Sequence, residues 1–224
     1  MAVAGDAATV DADIAGHLLP LDPALDASLA ANAAAGLPPI DVSAAQGRML
    51  QILAAAIGAR RILEIGTLGG YSTIWLLRAL PADGRIVTLE LEPHHAEVAR
   101  RNLAAAGAGD RVDIRIGAAT DTLAAMTAAG EGGFDLVFID ADKPNNVAYL
   151  YAAMALARPG ALIIVDNVVR EGAIVDADDP DPRVIGTRAL FEMVGKEPRL
   201  TATAIQTVGA KHWDGFLLAR VADA

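Results

Sequence analysis

The stretch Arg61-Ile-Leu-Glu-Ile-Gly-Thr-Leu-Gly-Gly-Tyr-Ser72 decides the fold. Ile62, Leu63 and Ile65 read as a short buried strand. Gly66-Thr67-Leu68-Gly69-Gly70 reads as a turn that only small residues allow, and Tyr71 to Leu80 as a helix ended by Pro81. Strand, glycine turn and helix in that order open a doubly wound α/β sheet, with a ligand expected at the turn. Glycines let the backbone approach a ligand closely, and the helix N-terminus offers unpaired N–H groups to a negative group. The glycines stand as G-x-x-G-G, so the dinucleotide fingerprint G-x-G-x-x-G is not met. A turn that merely connects strand to helix is the competing reading.

Outward from this stretch, strands and helices alternate. Arg85–Leu89 is the second strand, ending at Glu90. Pro93 suits the first turn of the following helix, which runs to about Gly107. Val112, Ile114 and Ile116 alternate as a third strand, and Thr120–Ala129 is a short helix. Phe134–Ile139 is a fourth strand, apolar except for Asp135, ending in Asp140-Ala141-Asp142-Lys143. Pro144 opens a helix to about Ala157. Ala161–Val165 is a fifth strand ending at Asp166-Asn167, and Val168–Pro182 is a long acidic loop. A helix near Arg183–Val194 follows. Leu200–Val208 and Gly215–Val221 have no helix between them and are expected to pair antiparallel. Upstream, Met1–Gly16 reads as a frayed tail, and His17–Ala35 as a helical pattern interrupted by Pro20 and Pro23. Ser43 with Gln46 forms a capping box for the next helix.

The expected architecture is therefore α/β: one domain over residues 17–224 behind a tail at 1–16, with a mainly parallel sheet and N-terminal helices. At 224 residues a single domain is expected. No apolar run reaches the ~18–20 residues that span a membrane. The N-terminus lacks a basic segment followed by an apolar run, so no signal peptide is expected. The chain has no cysteine, which excludes a disulfide framework, a thiolate metal site and a cysteine nucleophile. A cytoplasmic protein with no membrane partner is the expectation. The net charge of -10 argues against a nucleic-acid partner.

Ligands in such sheets bind beyond the carboxyl ends of the strands. Polar residues gather there: Glu64 with the glycine turn, Glu90, Gly117-Ala118-Ala119, Asp140 with Asp142 and Lys143, and Asp166-Asn167. Glu90 lies 26 residues beyond Glu64, where a carboxylate can accept bonds from both hydroxyls of a ribose. Otherwise it is simply solvated. Ser72 can meet a carboxylate with its hydroxyl and N–H, or cap its helix. Asp140, Asp166 and Asn167 offer only oxygen, which suits a hard cation such as Mg²⁺. Helix capping is the competing role for the two acids. Histidines stand only at 17, 94, 95 and 212, so zinc is not expected, and His94 and His95 are expected to face solvent.

Three phrases carry a family resemblance: Leu63-Glu-Ile-Gly-Thr-Leu-Gly-Gly-Tyr-Ser72, Phe138-Ile-Asp-Ala-Asp-Lys-Pro-Asn145 and Val165-Asp-Asn167. The chain resembles the cation-dependent O-methyltransferases from about Pro38 to Val221. That group includes caffeoyl-CoA and catechol O-methyltransferases and many bacterial relatives. The resemblance implies a Rossmann-like methyltransferase fold with a seven-stranded sheet and an antiparallel C-terminal hairpin. It implies that Glu64, Gly66, Thr67 and Ser72 hold the methionine part of S-adenosylmethionine and that Glu90 holds its ribose. Ala119 would sit by the adenine, Asp142 would line the same pocket with Asp140, and Val42 would touch it. Asp140, Asp166 and Asn167 would bind a divalent ion, Mg²⁺ or another such as Mn²⁺ or Ca²⁺. Lys143 would be the general base, acting beside Asp140; a salt bridge to Asp142 is its competing role. The acceptor would be a catechol-like small molecule and the assembly a homodimer.

This mechanism is chemically coherent. Methyl transfer displaces a sulfonium in line, so the acceptor must be aligned and presented as an oxyanion. Two adjacent hydroxyls can chelate a divalent ion, which lowers the pKa of one of them. A lysine can then take the proton. The stretch Val168-Val-Arg-Glu-Gly172 departs from the plant caffeoyl-CoA enzymes, which usually carry an aromatic residue there. A nicotinamide-dependent oxidoreductase and a non-catalytic nucleoside-binding protein are the alternatives. The G-x-x-G-G turn and Asp166-Asn167 disfavour the first, and the intact ligand set with Lys143 disfavours the second.

Overall fold

The computed structural model describes residues 6–19 and 21–223. The chain enters through three helices, α1 (Ala7–Leu18), α2 (Pro23–Ala34) and α3 (Ala44–Ala56). The expectation of a frayed tail over Met1–Gly16 does not hold for Ala7 onward. Asp6 accepts the Thr9 N–H at 2.8 Å and starts α1, and Asp11 accepts the Ala210 N–H at 2.8 Å from a distant turn. Capping and that tether offset the weak periodicity of the segment. Pro23 does not interrupt a helix; it stands in the first turn of α2 with Asp22 as cap. Met1–Gly5 and Pro20 lie outside the described residues. The capping box on α3 is present in full, with Ser43 and Gln46 exchanging bonds of 3.0 and 3.1 Å.

The alternating part follows as β1 (Arg61–Ile65), α4 (Tyr71–Leu77), β2 (Arg85–Glu90), α5 (Pro93–Ala105), β3 (Val112–Ile116), α6 (Ala119–Ala128) and β4 (Phe134–Ile139). Then come α7 (Asn146–Leu156), β5 (Ala157–Asp166), α8 (Pro182–Lys196), β6 (Leu200–Gly209) and β7 (His212–Val221). The seven strands form one sheet in the order β3-β2-β1-β4-β5-β7-β6. The first five run parallel, and β7 lies antiparallel between β5 and β6. This is the sheet the sequence led us to expect.

Strand alternation divides the core into two layers. Leu63, Ile65, Val137, Ile139, Ile163 and Val165 face Leu123 and Met126 of α6 and Tyr149 and Leu150 of α7. Ile62, Leu136, Phe138 and Ile164 face Leu50 of α3, Ile74 and Trp75 of α4 and Leu103 of α5. Glu64 and Thr88 share the register of the second layer, so both point at α4. Chain order reverses between β1 and β4, and there the carboxyl ends open a crevice. The Asp140 N–H donates to Ile65 O at 2.8 Å, and the Gly66 N–H to Leu89 O at 3.0 Å, so three strands end level. Among the described residues no helix is long and apolar enough to cross a membrane.

Candidate active site

A cavity of about 730 Å³ occupies this crevice. Val42, Gly66, Thr67, Ser72, Glu90, Ala119, Asp140, Asp142, Lys143 and Asn167 line it. Glu64 and Asp166 do not line it, although both were expected in direct contact with a ligand. Glu64 points at α4 in the packed core, and Asp166 is buried beneath Gln46 beside Asp140.

The glycine turn is built around two carboxylates. Gly66 adopts φ 100°, and a Cβ there would overlap the Asp140 carbonyl, so only glycine fits. Glu90 accepts the backbone N–H groups of Thr67 at 3.2 Å, Leu68 at 2.7 Å and Glu92 at 2.9 Å. Its carboxylate therefore sets the shape of the turn as well as facing the cavity. Glu64 is fully buried and receives the hydroxyls of Ser72 at 2.7 Å, Thr73 at 2.5 Å and Thr88 at 2.7 Å. It pins the first turn of α4 to β2, so any effect on a ligand acts through Ser72. Burial pushes the Glu64 carboxyl from its ordinary 4.5 up to about 7, against the pull of its three hydroxyl partners.

The sign for stability follows. A carboxyl raised in the folded state stays protonated while its unfolded counterpart ionises. Its contribution is fully present below about pH 4.5 and is lost as pH rises through about 7. Glu64→Gln, which cannot ionise, should therefore flatten the fall in melting temperature between those two values. Parallel melting curves for the variant and the wild type across that window would refute the assignment.

The other end of the cavity is formed by β4 and β5, which place Ile139 opposite Val165 and so bring Asp140 and Asp166 side by side. Lys143 Nζ donates to Asp140 at 2.9 Å, and its side chain is only 7% exposed. The lysine partner is thus Asp140, not the Asp142 considered from sequence. Asp142 instead accepts from Asn145 at 2.6 Å and from the Tyr149 hydroxyl. Asp166 accepts its neighbour's N–H from Asn167 at 2.8 Å and Gln46 Nε2 at 3.3 Å. Burial and the adjacent Asp140 charge push the Asp166 carboxyl upward, with Lys143 opposing.

Asp140 and Asp166, the latter's ionisation opposed by burial and by its neighbour's charge, stand beside an amide and form a donor set that a hard cation would satisfy. Asn167 lies on the cavity wall at φ 57°, a left-handed conformation unusual outside glycine. Among the described residues no three His, Cys, Asp or Glu side chains converge on one point, so the set depends on the amide.

Several residues on or behind the cavity wall escaped the sequence reading. Gln46 was seen only as a cap, yet its amide spans from the capping box to Asp166. His95 was expected in solvent, but it lines the cavity with Nδ1 3.4 Å from Glu90, while His94 is exposed and meets Ala35 O at 3.0 Å. Asp41 lines the entrance and accepts Asn32 Nδ2 at 2.9 Å. Tyr149 stands seven residues past Asp142, two helical turns on, which was the one signal available for it.

The comparisons agree with this arrangement. The family model described as O-methyltransferase matches residues 22–221. A catechol O-methyltransferase of Mycobacterium tuberculosis is 59% identical over 212 residues, covering 95% of this chain and 94% of its own. A catechol O-methyltransferase of Niastella koreensis is 48% identical over 200 residues, covering 89% and 90%. The crystal structure of an O-methyltransferase from Bacillus cereus in complex with SAH superposes with a TM-score of 0.94 at 52% identity, covering 96% of this chain and 98% of that one. Sheet order, the glycine turn and these relatives converge: the chain is an enzyme of the O-methyltransferase family.

Proposed function

We propose that the protein transfers the methyl group of S-adenosylmethionine to one hydroxyl of a catechol-like small molecule, with a divalent ion at Asp140, Asp166 and Asn167. One observation carries the reading: a single cavity joins the glycine turn and Glu90 to the Asp140–Lys143 pair and Asn167. Donor and acceptor ends are thus continuous, as an in-line transfer needs. The relatives named catechol O-methyltransferase and the relative solved with SAH, the demethylated donor, support both halves.

In this reading the turn and Ser72 receive the methionine end, Glu90 the ribose, and Ala119 the adenine side. Asp142, held by Tyr149 and Asn145, borders the donor. When bound, the ion supplies a charge that lowers the pKa of a chelated hydroxyl. Lys143 Nζ faces the same point and, in its neutral form with its own proton passed on, can take the hydroxyl proton. The buried walls exclude water around it. Incubating vicinal diphenols with S-adenosylmethionine, with and without Mg²⁺, tests the reading; no methylated product from any of them would overturn it.

Glu90→Ala should weaken binding of S-adenosylmethionine by about 1–3 kcal/mol, the cost of unmade charge-assisted bonds. Because Glu90 also holds the turn, Glu90→Gln should recover only part of the loss. Unchanged calorimetric affinity in a folded Glu90→Ala variant would remove the ribose assignment.

The reading extends to a homodimer in the cytoplasm. Leu18 and Ile40, near the N-terminal arm, are 70% and 67% exposed, and a second copy would cover such residues. Light scattering that returns a 23.0 kDa species at micromolar concentration would refute the dimer.

A further inference from the structure

We infer that Arg170 anchors a carboxylate on the acceptor, so that the enzyme takes dihydroxyaromatic free acids in preference to their esters or thioesters. This rests on the catechol reading above. Arg170 stands three residues beyond Asn167, in the loop that leaves β5, and lines the same cavity.

The loop is held in an unusual shape. Asn167, Arg170 and Glu171 have φ of 57°, 54° and 53°. Three non-glycine residues in the left-handed region persist only where the surroundings over-determine them. Asp214 does so here, because its Oδ1 accepts the N–H groups of Val169 at 2.9 Å, Arg170 at 3.1 Å and Gly215 at 2.9 Å. Gly172 then packs on the Trp213 ring, which a Cβ would overlap. The backbone that presents Arg170 is therefore fixed.

The guanidinium it presents is only loosely matched, at the limit of an ion pair with Asp214. Its side chain is 21% exposed, and its nearest carboxylate oxygen, on Asp214, is 4.0 Å away. Nε is shielded from solvent without a partner, and among the described residues the head group makes no hydrogen bond. The other basic side chains on the wall are engaged. Lys143 is bonded to Asp140, His95 lies against Glu90, and Arg183 donates to the Asp181 carboxylate at 3.0, 2.9 and 2.5 Å. A planar guanidinium with free N–H groups matches a carboxylate. The chain carries a net charge of -10, which disfavours an anionic acceptor unless a cation receives it inside. A neutral ester would leave the fork unpaired.

The test compares 3,4-dihydroxybenzoate with its methyl ester on wild type, Arg170→Met and Arg170→Lys, with S-adenosylmethionine and Mg²⁺. Circular dichroism melting establishes that each variant is folded. Wild type should favour the acid over the ester by about 10–100-fold in kcat/KM, chiefly through KM, as expected for one charge-assisted contact. In Arg170→Met the ratio should fall toward one, and Arg170→Lys should restore part of it. An equal ratio in wild type, or an undiminished preference in Arg170→Met, overturns the proposal. Calorimetric titration of the two probes separates this failure from failure of the catechol reading. Arg170-dependent preference for the acid without turnover of either probe keeps the anchor and removes the reading; binding of neither removes both.

Discussion

Lys143→Ala lowers kcat by about 10²–10⁴-fold, the usual loss of a general base, while affinity for S-adenosylmethionine hardly changes. The expectation comes from position: Nζ is buried on the cavity wall, 2.9 Å from Asp140 at the end of β4. The backbone beneath it is packed closely, since a Cβ on Gly186 of α8 would overlap the Lys143 carbonyl. The variant also leaves Asp140 beside Asp166 with no cation between them, so a lower melting temperature accompanies the kinetic loss. Single-turnover quench kinetics check the claim. A rate equal to wild type would leave Lys143 as the ion-pair partner of Asp140 and nothing more.

Asp166→Ala should cost at least about 10–100-fold in turnover, and chelator should abolish turnover until Mg²⁺ is returned. Donor affinity should survive, because Asp166 lies behind the wall of the opposite end of the cavity. A diphenol with adjacent hydroxyls should react, while a monophenol of similar shape should not, since only the former offers two oxygens to the open positions. Calorimetric titration of Mg²⁺ into wild type and Asp166→Ala reads the ion independently of catalysis. Full activity in chelator, or equal rates on a monophenol and its catechol counterpart, would make the acidic pair structural.

Much of this was legible from residue order. The periodicity of Ile62–Ile65, Arg85–Glu90 and Phe134–Ile139, broken by glycine turns and prolines, specifies parallel strands whose polar residues collect at one edge. The antiparallel hairpin followed from the missing helix between β6 and β7. Local pattern could not reveal which way a strand-end side chain turns. Glu64 and Asp166 belong to ordinary strand alternation and are buried, so their depth became visible only with the register of β1 and β5. Contacts between residues far apart in sequence, such as Gln46 with Asp166, leave no periodic trace. Helix α1 was misread for a related reason: its stability comes partly from Asp6 and from a tether to Ala210, and composition shows neither.

The contact between Gly66 and the Asp140 carbonyl has a thermodynamic consequence. The glycine turn and the strand end that carries Asp140 touch backbone to backbone, and neither can shift without the other. Whatever displaces one end therefore displaces the other, and any coupling between their occupants is reciprocal in binding. Any side chain at position 66 would force the two ends apart, because its Cβ alone would overlap the Asp140 carbonyl.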